Sequence, residues 1–342
     1  MLRSLREFSK LAGVSPSTVS RVFSGTGRVA PETQQRIREL AQSLNFSPST
    51  IGRVAFGGQT QSVGVMVPTL AVSFYAEIMR GLQYHLLKSD FLPIILQSCE
   101  SGDSDQHAIQ RLLNHRVDAL FLTLASERLT PDDLGMVLRS QVPVVFLGTN
   151  RASLAMDAVD NDDVAGGRAV GDHLLSLGHR RFGFVYFGEG HSNSDLRLNG
   201  FREALVRTGV LLDDRDIAHL HPYNPNRDEL LRNDLIAMLS RADRPTAIFA
   251  SADPLARAVY LVARELKMQI PRDLSIVGYA NLSYSDLIDP PLTTVDQNPM
   301  EIGRRSAKLI LHRLKKADAP FRMELVPTQL IVRGSTGPVP VV

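Results

Sequence analysis

The sequence predicts an all-α head followed by an α/β core of two doubly wound lobes, and three observations predict it. Over the first 46 residues, apolar side chains recur at helical spacing around a tight Gly13-Val14-Ser15 turn. From Ser62 onward, short apolar runs alternate with amphipathic helices, and the alternation restarts near Asp160. Residues 1–60 carry eight Lys/Arg against three Glu, a net +5, while the whole chain is +2, so the remainder sits at −3.

In the head, Ser15 suits an N-cap and Pro16 the first helical position, where no N–H is needed. Val19, Val22 and Phe23 then form an apolar stripe, leaving Ser17, Thr18, Ser20 and Arg21 on the opposite face. Upstream, Leu5, Phe8, Leu11 and Ala12 repeat the spacing, which gives a helix-turn-helix whose second helix can enter a major groove. Pro31 opens a third helix with Ile37, Leu40, Ala41 and Leu44 facing inward. A basic head on a slightly acidic body is the electrostatic footprint of phosphate binding.

The core opens on the buried strand Ser62–Val67, followed by a helix from Phe74 to Leu87 with Ile78, Leu82 and Leu86 in phase. Leu92–Leu96, Val117–Leu122 and Val142–Leu147 read as further strands, with a helix over Gln106–Asn114. After Asp160 come a helix ending at Gly178, the strand Arg181–Val185 and a helix from Leu198 to Arg207. Strands at Ala247–Ala250 and Ser275–Tyr279 flank a helix over Leu255–Leu266. A helix from Met300 to Leu314 and one strand-like stretch, Glu324–Val332, close the fold. Such alternation implies parallel sheets covered on both faces.

The 342 residues suffice for two to three domains, and 44% hydrophobic content fills their cores. No apolar run reaches the roughly 18 residues of a membrane span, and no leader is visible, so a cytoplasmic chain is expected. The single cysteine, Cys99, excludes an intramolecular disulfide. Asp157, Asp160, Asp162 and Asp163 lack the pattern of a calcium loop, and His219-Leu220-His221 has no third ligand in view. No phosphate-binding glycine motif and no catalytic triad can be placed, so neither cofactor, metal nor enzymatic activity is expected.

The stretch Ser4–Ile37, with Thr18-Val19-Ser20-Arg21-Val22 and Val29-Ala30-Pro31-Glu32-Thr33, resembles the head of the LacI/GalR family of bacterial regulators. The body is similar to that family's core, itself like periplasmic sugar-binding proteins, through Val159-Asp160-Asn161, Arg197-Leu198-Asn199-Gly200-Phe201, Pro290–Val295 and Leu330–Ser335. The resemblance implies a ligand-responsive repressor that binds a double-stranded, palindromic DNA operator as a homodimer. It places DNA contacts at Ser4, Ser15, Pro16, Ser17, Thr18, Ser20, Arg21 and Arg28. Residues 47–61 match a hinge helix, with Ala55 at the minor-groove wedge position; Phe56 is large enough to replace it, or packs the linker onto the body. The implied domains are 1–46, 47–61, a lobe of 62–160 plus 297–322, and a lobe of 161–296 plus 323–342. The chain then crosses between lobes near Asn161, Asp296 and Arg322.

Ligands of such sheets bind outside the carboxyl ends of the strands. Phe74, Tyr75, His191, Asn193, Asp195, Arg197 and Tyr223 are expected there, supplying aromatic faces and planar hydrogen-bonding groups for a sugar, sugar acid or related metabolite. Asp160 and Asp253 either join them or cap the following helices. Where the family commonly carries an aspartate, this chain has Ala280, followed by Asn281. That departure points to a less polar effector, an anionic one, or none. A solute-binding protein of a transport system is the alternative reading of the same body.

Overall fold

The structure is a computed structural model that describes residues 5–24, 27–44, 46, 59–97, 105–123, 131–147, 156–188, 192–220, 224 and 226–339. The head comprises α1 (Leu5–Ala12), α2 (Pro16–Ser24) and α3 (Pro31–Ser43). Ser15 caps α2: its hydroxyl accepts the N–H of Thr18 at 3.1 Å, satisfying a donor the first turn leaves open. Phe8, Ala12, Val19, Val22, Ile37 and Ala41 form the core, and Phe46 stacks on Phe8 with ring centroids 4.1 Å apart. Three expectations change here. Leu11 is 61% exposed and Leu44 is exposed, because Phe46 fills the space their side chains would have taken. Ser20 is only 5% exposed. Each helical residue turns about 100° from the last, so Ser20 follows Val19 under the cover of the head instead of facing outward.

The first lobe contains β1 (Ser62–Val67), α4 (Ser73–Leu87), β2 (Leu92–Gln97), α5 (Asp105–Asn114), β3 (Ala119–Thr123), α6 (Pro131–Arg139), β4 (Val144–Leu147) and β5 (Asp157–Asn161). The second contains α7 (Asp163–Ser176), β6 (Phe182–Phe187), α8 (Ser192–Val206), β7 (Ile217–Leu220), α9 (Arg227–Leu239), β8 (Ala247–Ala250), α10 (Asp253–Glu265), β9 (Ser275–Tyr279) and β10 (Thr293–Asp296). The chain returns through α11 (Pro299–Lys315) and β11 (Met323–Val326), then ends in β12 (Gln329–Ile331).

The two six-stranded sheets run β2-β1-β3-β4-β5-β11 and β7-β6-β8-β9-β10-β12, the same order twice. Every pairing is parallel except β10 with β12. The order reverses between β1 and β3 and between β6 and β8, and such switch points open a crevice at the carboxyl ends of the strands.

The expected single strand Glu324–Val332 is two strands in two sheets. Val326 pairs with Asn161 in the first, and Gln329 with Asp296 in the second. Pro327 has no N–H to continue a ladder, so the third crossing falls there and not near Arg322. Residues 323–326 therefore belong to the first lobe. At the other two crossings Asn161 and Gln297 bond reciprocally: Asn161 Nδ2 donates to the Gln297 carbonyl at 2.7 Å and Gln297 Nε2 to Asn161 Oδ1 at 3.1 Å.

Glycines bring two helix pairs close. A Cβ on Gly81 of α4 would strike the carbonyl oxygen of Met300 in α11, and one on Gly167 of α7 that of Arg197 in α8. The second contact holds the backbone of Arg197 against α7, where the cleft begins. No helix among the described residues is long and apolar enough to cross a membrane.

Candidate functional site: a reading helix and an interlobe cleft

On the head, Ser15, Pro16, Ser17, Thr18, Arg21 and Arg28 all keep exposed or half-exposed surface. The hydroxyls of Ser17 and Thr18 each lie 2.8 Å from that of Ser15, a cluster of short donors at the start of α2. The stem of Arg21 lies against Gly27, where a Cβ would come within 3.3 Å of Arg21 Cδ; glycine there also holds φ at +80°. Ser20 is buried and cannot reach a base edge from this position. Ser4, Ala55 and Phe56 lie outside the described residues.

The cleft sits at the carboxyl ends of both sheets. From the first lobe come Phe74 and Tyr75, packed edge to face with centroids 5.1 Å apart at the start of α4, and Thr123 at the end of β3. Burial pushes the Tyr75 hydroxyl up to about 12, with the positive charge of Arg197 opposing that rise. Tyr75 and Arg197 thus face one another across the lobes. A second tie between lobes is the Ser283 N–H donated to Ser73 Oγ at 3.2 Å.

Arg197 is the best-connected side chain of the second lobe. Its Nε donates to Asp163 Oδ1 at 3.0 Å, its Nη1 donates to the Ser251 carbonyl at 2.6 Å, and its guanidinium lies 3.9 Å over the Tyr279 ring. It is 8% exposed. Asp160, 2% exposed, accepts the Asn161 N–H at 2.8 Å. Burial and the neighbouring Asp163 carboxylate raise its pKa to about 7, against the pull of the Asn161 N–H and Arg197.

Two expected contacts are committed elsewhere. Asp253 is fully buried and accepts from the Leu282 N–H at 2.8 Å, Ser285 Oγ at 2.6 Å and Thr294 Oγ1 at 2.6 Å. It ties β10 and the loop after β9 together, leaving no capacity for an effector. Asn281 donates to Asp296 Oδ2 at 2.8 Å and accepts from Arg333 Nη2 at 2.7 Å, so it braces the second crossing. Ala280 carries no polar group and holds φ at +118°. Asp195 is exposed, and Asn193 places a buried Oδ1 without a hydrogen-bond partner. His191 and Tyr223 lie outside the described residues. Sequence reasoning missed the Asp163 partner of Arg197, the stacking of Tyr279 and the buried, unpartnered hydroxyl of Thr123. Asp163 alone had a local signal, as one of four nearby acids.

Residues 4–49 match the family described as bacterial regulatory proteins, lacI family, and residues 171–336 match the periplasmic binding protein-like domain. The chain is 27% identical to the ribose operon repressor of Haemophilus influenzae over 98% of each chain. It is 29% identical to the transcriptional regulator DegA of Bacillus subtilis over 99% of each. Among solved structures, a LacI family regulator from Enterococcus faecium with bound ribose is 29% identical, with a TM-score of 0.70 over 81% of this chain and 99% of that one. With its helix-turn-helix head, its doubled α/β body and these relatives, the chain belongs to the LacI family of bacterial regulators and is a ligand-responsive, DNA-binding transcriptional regulator.

Proposed function

We propose that the protein is a repressor that binds a palindromic operator as a homodimer, and that a sugar or sugar-derived metabolite in the cleft sets its operator affinity. The observation that carries this reading is the meeting of Tyr75 from one lobe with Arg197 from the other, since a ligand seated between them touches both lobes at once. An effector shifts operator affinity only through its differential affinity for two interlobe arrangements. The three crossings, braced by the Asn161–Gln297 pair, are where that difference is felt. Arg21, Ser17 and Thr18 read bases, Ser15 and Pro16 shape the entry of α2, and Ser4 and Arg28 hold phosphate. Ala55 or Phe56 supplies the minor-groove wedge, and the cytoplasm is the site of action.

Self-association is supported by the apolar surface that Tyr84, Leu87, Leu92 and Ile95 expose on α4 and β2. A cavity of about 940 Å³ with an apolar floor also opens between α9 and α10, beside exposed Leu261. A second copy covering these faces matches the two-fold symmetry of a palindrome. A transport solute-binding protein would share the body but have no use for the basic head.

The test is fluorescence anisotropy of the full chain on duplexes selected from a random pool. A palindromic consensus with affinity falling steeply as salt rises is expected, together with a change in affinity on adding a cleft ligand. Binding without sequence preference, or a particle of one chain mass at micromolar concentration, would sink the proposal.

A further inference from the structure

We infer that the cleft selects an uncharged, hydroxyl-rich ligand and rejects its carboxylate and phosphate derivatives, because Asp163 already holds the charge of Arg197. This rests on the cleft being the effector site. Arg197 is the single cation among the described residues named for the cleft, and it is fully engaged. Nε and Nη1 donate to Asp163 and to the Ser251 carbonyl, Nη2 points at Asp163 Oδ2 from 3.5 Å, and one face is covered by Tyr279. An incoming anion would have to compete with a carboxylate that is itself fully buried and has nowhere else to discharge. Asp160 adds a second buried acid beside the first, held by one backbone N–H.

The polar atoms left over point the same way. Asn193 Oδ1 and Thr123 Oγ1 are buried without a partner, one at the start of α8 and one at the end of β3, each at a switch point of its sheet. A buried acceptor left unpaired is costly, and a ligand hydroxyl satisfies it where a carboxylate or phosphate oxygen cannot. Phe74 and Tyr75 offer flat apolar faces to the C–H surface of the same molecule. The missing aspartate at Ala280 removes one acceptor, but it does not turn the site towards anions, since no cation is released by its absence. Asp163 is therefore the positioning residue that sets the charge class, and Thr123 and Asn193 are ligand contacts.

The experiment is a thermal-shift screen of the full chain with matched triplets: ribose, ribonate and ribose 5-phosphate; glucose, gluconate and glucose 6-phosphate; galactose, galactonate and galactose 1-phosphate. Any stabilising member is expected to be the uncharged one, with at least tenfold weaker binding by its two anions. Asp160→Asn should narrow that gap by removing one repelling charge without disturbing the hydrogen bond to Asn161. Asp163→Asn, checked for folding by circular dichroism, should narrow it further by freeing Arg197. An anion that binds more tightly than its uncharged parent overturns the inference and leaves the effector-site reading standing. If no member of any triplet stabilises the chain, the sugar reading of the cleft fails and this inference fails with it.

Discussion

The guanidinium of Arg197 lies flat over the ring of Tyr279 at 3.9 Å while Asp163 grips its edge at 3.0 Å. Stacking fixes the plane of the cation and the carboxylate fixes its rotation, so the remaining donor is aimed before any ligand arrives. Arg197→Met keeps the stem but leaves Asp163 buried without its partner. It is expected to cost about 3–5 kcal/mol of stability, as broken buried pairs do, and to abolish effector response while DNA binding persists. Thermal melts and operator titrations with and without ligand check both halves.

Asp253→Ala is expected to destabilise the second lobe by about 2–4 kcal/mol, because it strands the Leu282 N–H and two hydroxyls inside the protein. Were Asp253 an effector contact, the loss would fall on ligand affinity and not on stability. Urea unfolding of the ligand-free variant separates the two.

Asp160→Asn should change how stability depends on pH. Folding raises this carboxyl from 3.8 to about 7, so between those values the folded chain holds a proton that the unfolded chain has released. Asp160 therefore favours the fold at low pH and weakens it as pH rises towards 7, the reverse of an ion-paired acid. Relative to the parent, the asparagine variant gains stability on going from pH 5 to pH 8, by an amount on the order of 1–3 kcal/mol. Denaturant midpoints at the two pH values measure it, and an unchanged difference would contradict the assignment.

Phe46→Ala removes the ring stacked on Phe8 and is expected to cost the head about 2–4 kcal/mol. Operator affinity should collapse while effector binding by the body stays at the parental level. Arg21→Ala, by contrast, should leave the head folded and relax discrimination at one base pair per half-site by about 1–3 kcal/mol. A uniform loss across all sequences would make Arg21 a phosphate contact.

How much of this was legible before the structure depends on what each signal measures. The capping of α2 by Ser15 and the strand–helix alternation are local, and local chemistry is written in neighbouring residues. Helices α6 and α9 went unread because Pro131–Arg139 and Arg227–Leu239 are short or mostly polar in their first turns. Ser20 was misplaced because a helical wheel shows which residues share a face but not how wide the buried arc is. The roles of Asp253 and Asn281 depend on partners 29 to 52 residues away, and spacing carries no trace of them. The split at Pro327 did have a signal, since proline inside a strand pattern argues against one continuous ladder.

That split has a consequence for synthesis. The first sheet gains its edge strand, Met323–Val326, only after the entire second sheet except its last strand has been made. Its core also waits for Ile302, Ala307, Leu309 and Ile310 of α11. On the ribosome, the part translated earlier must therefore idle with an open flank while the part translated later assembles, and a premature stop before residue 299 leaves the earlier half without its cover. The two halves mature in the opposite order to their translation, and neither can be cut out as one uninterrupted stretch of gene.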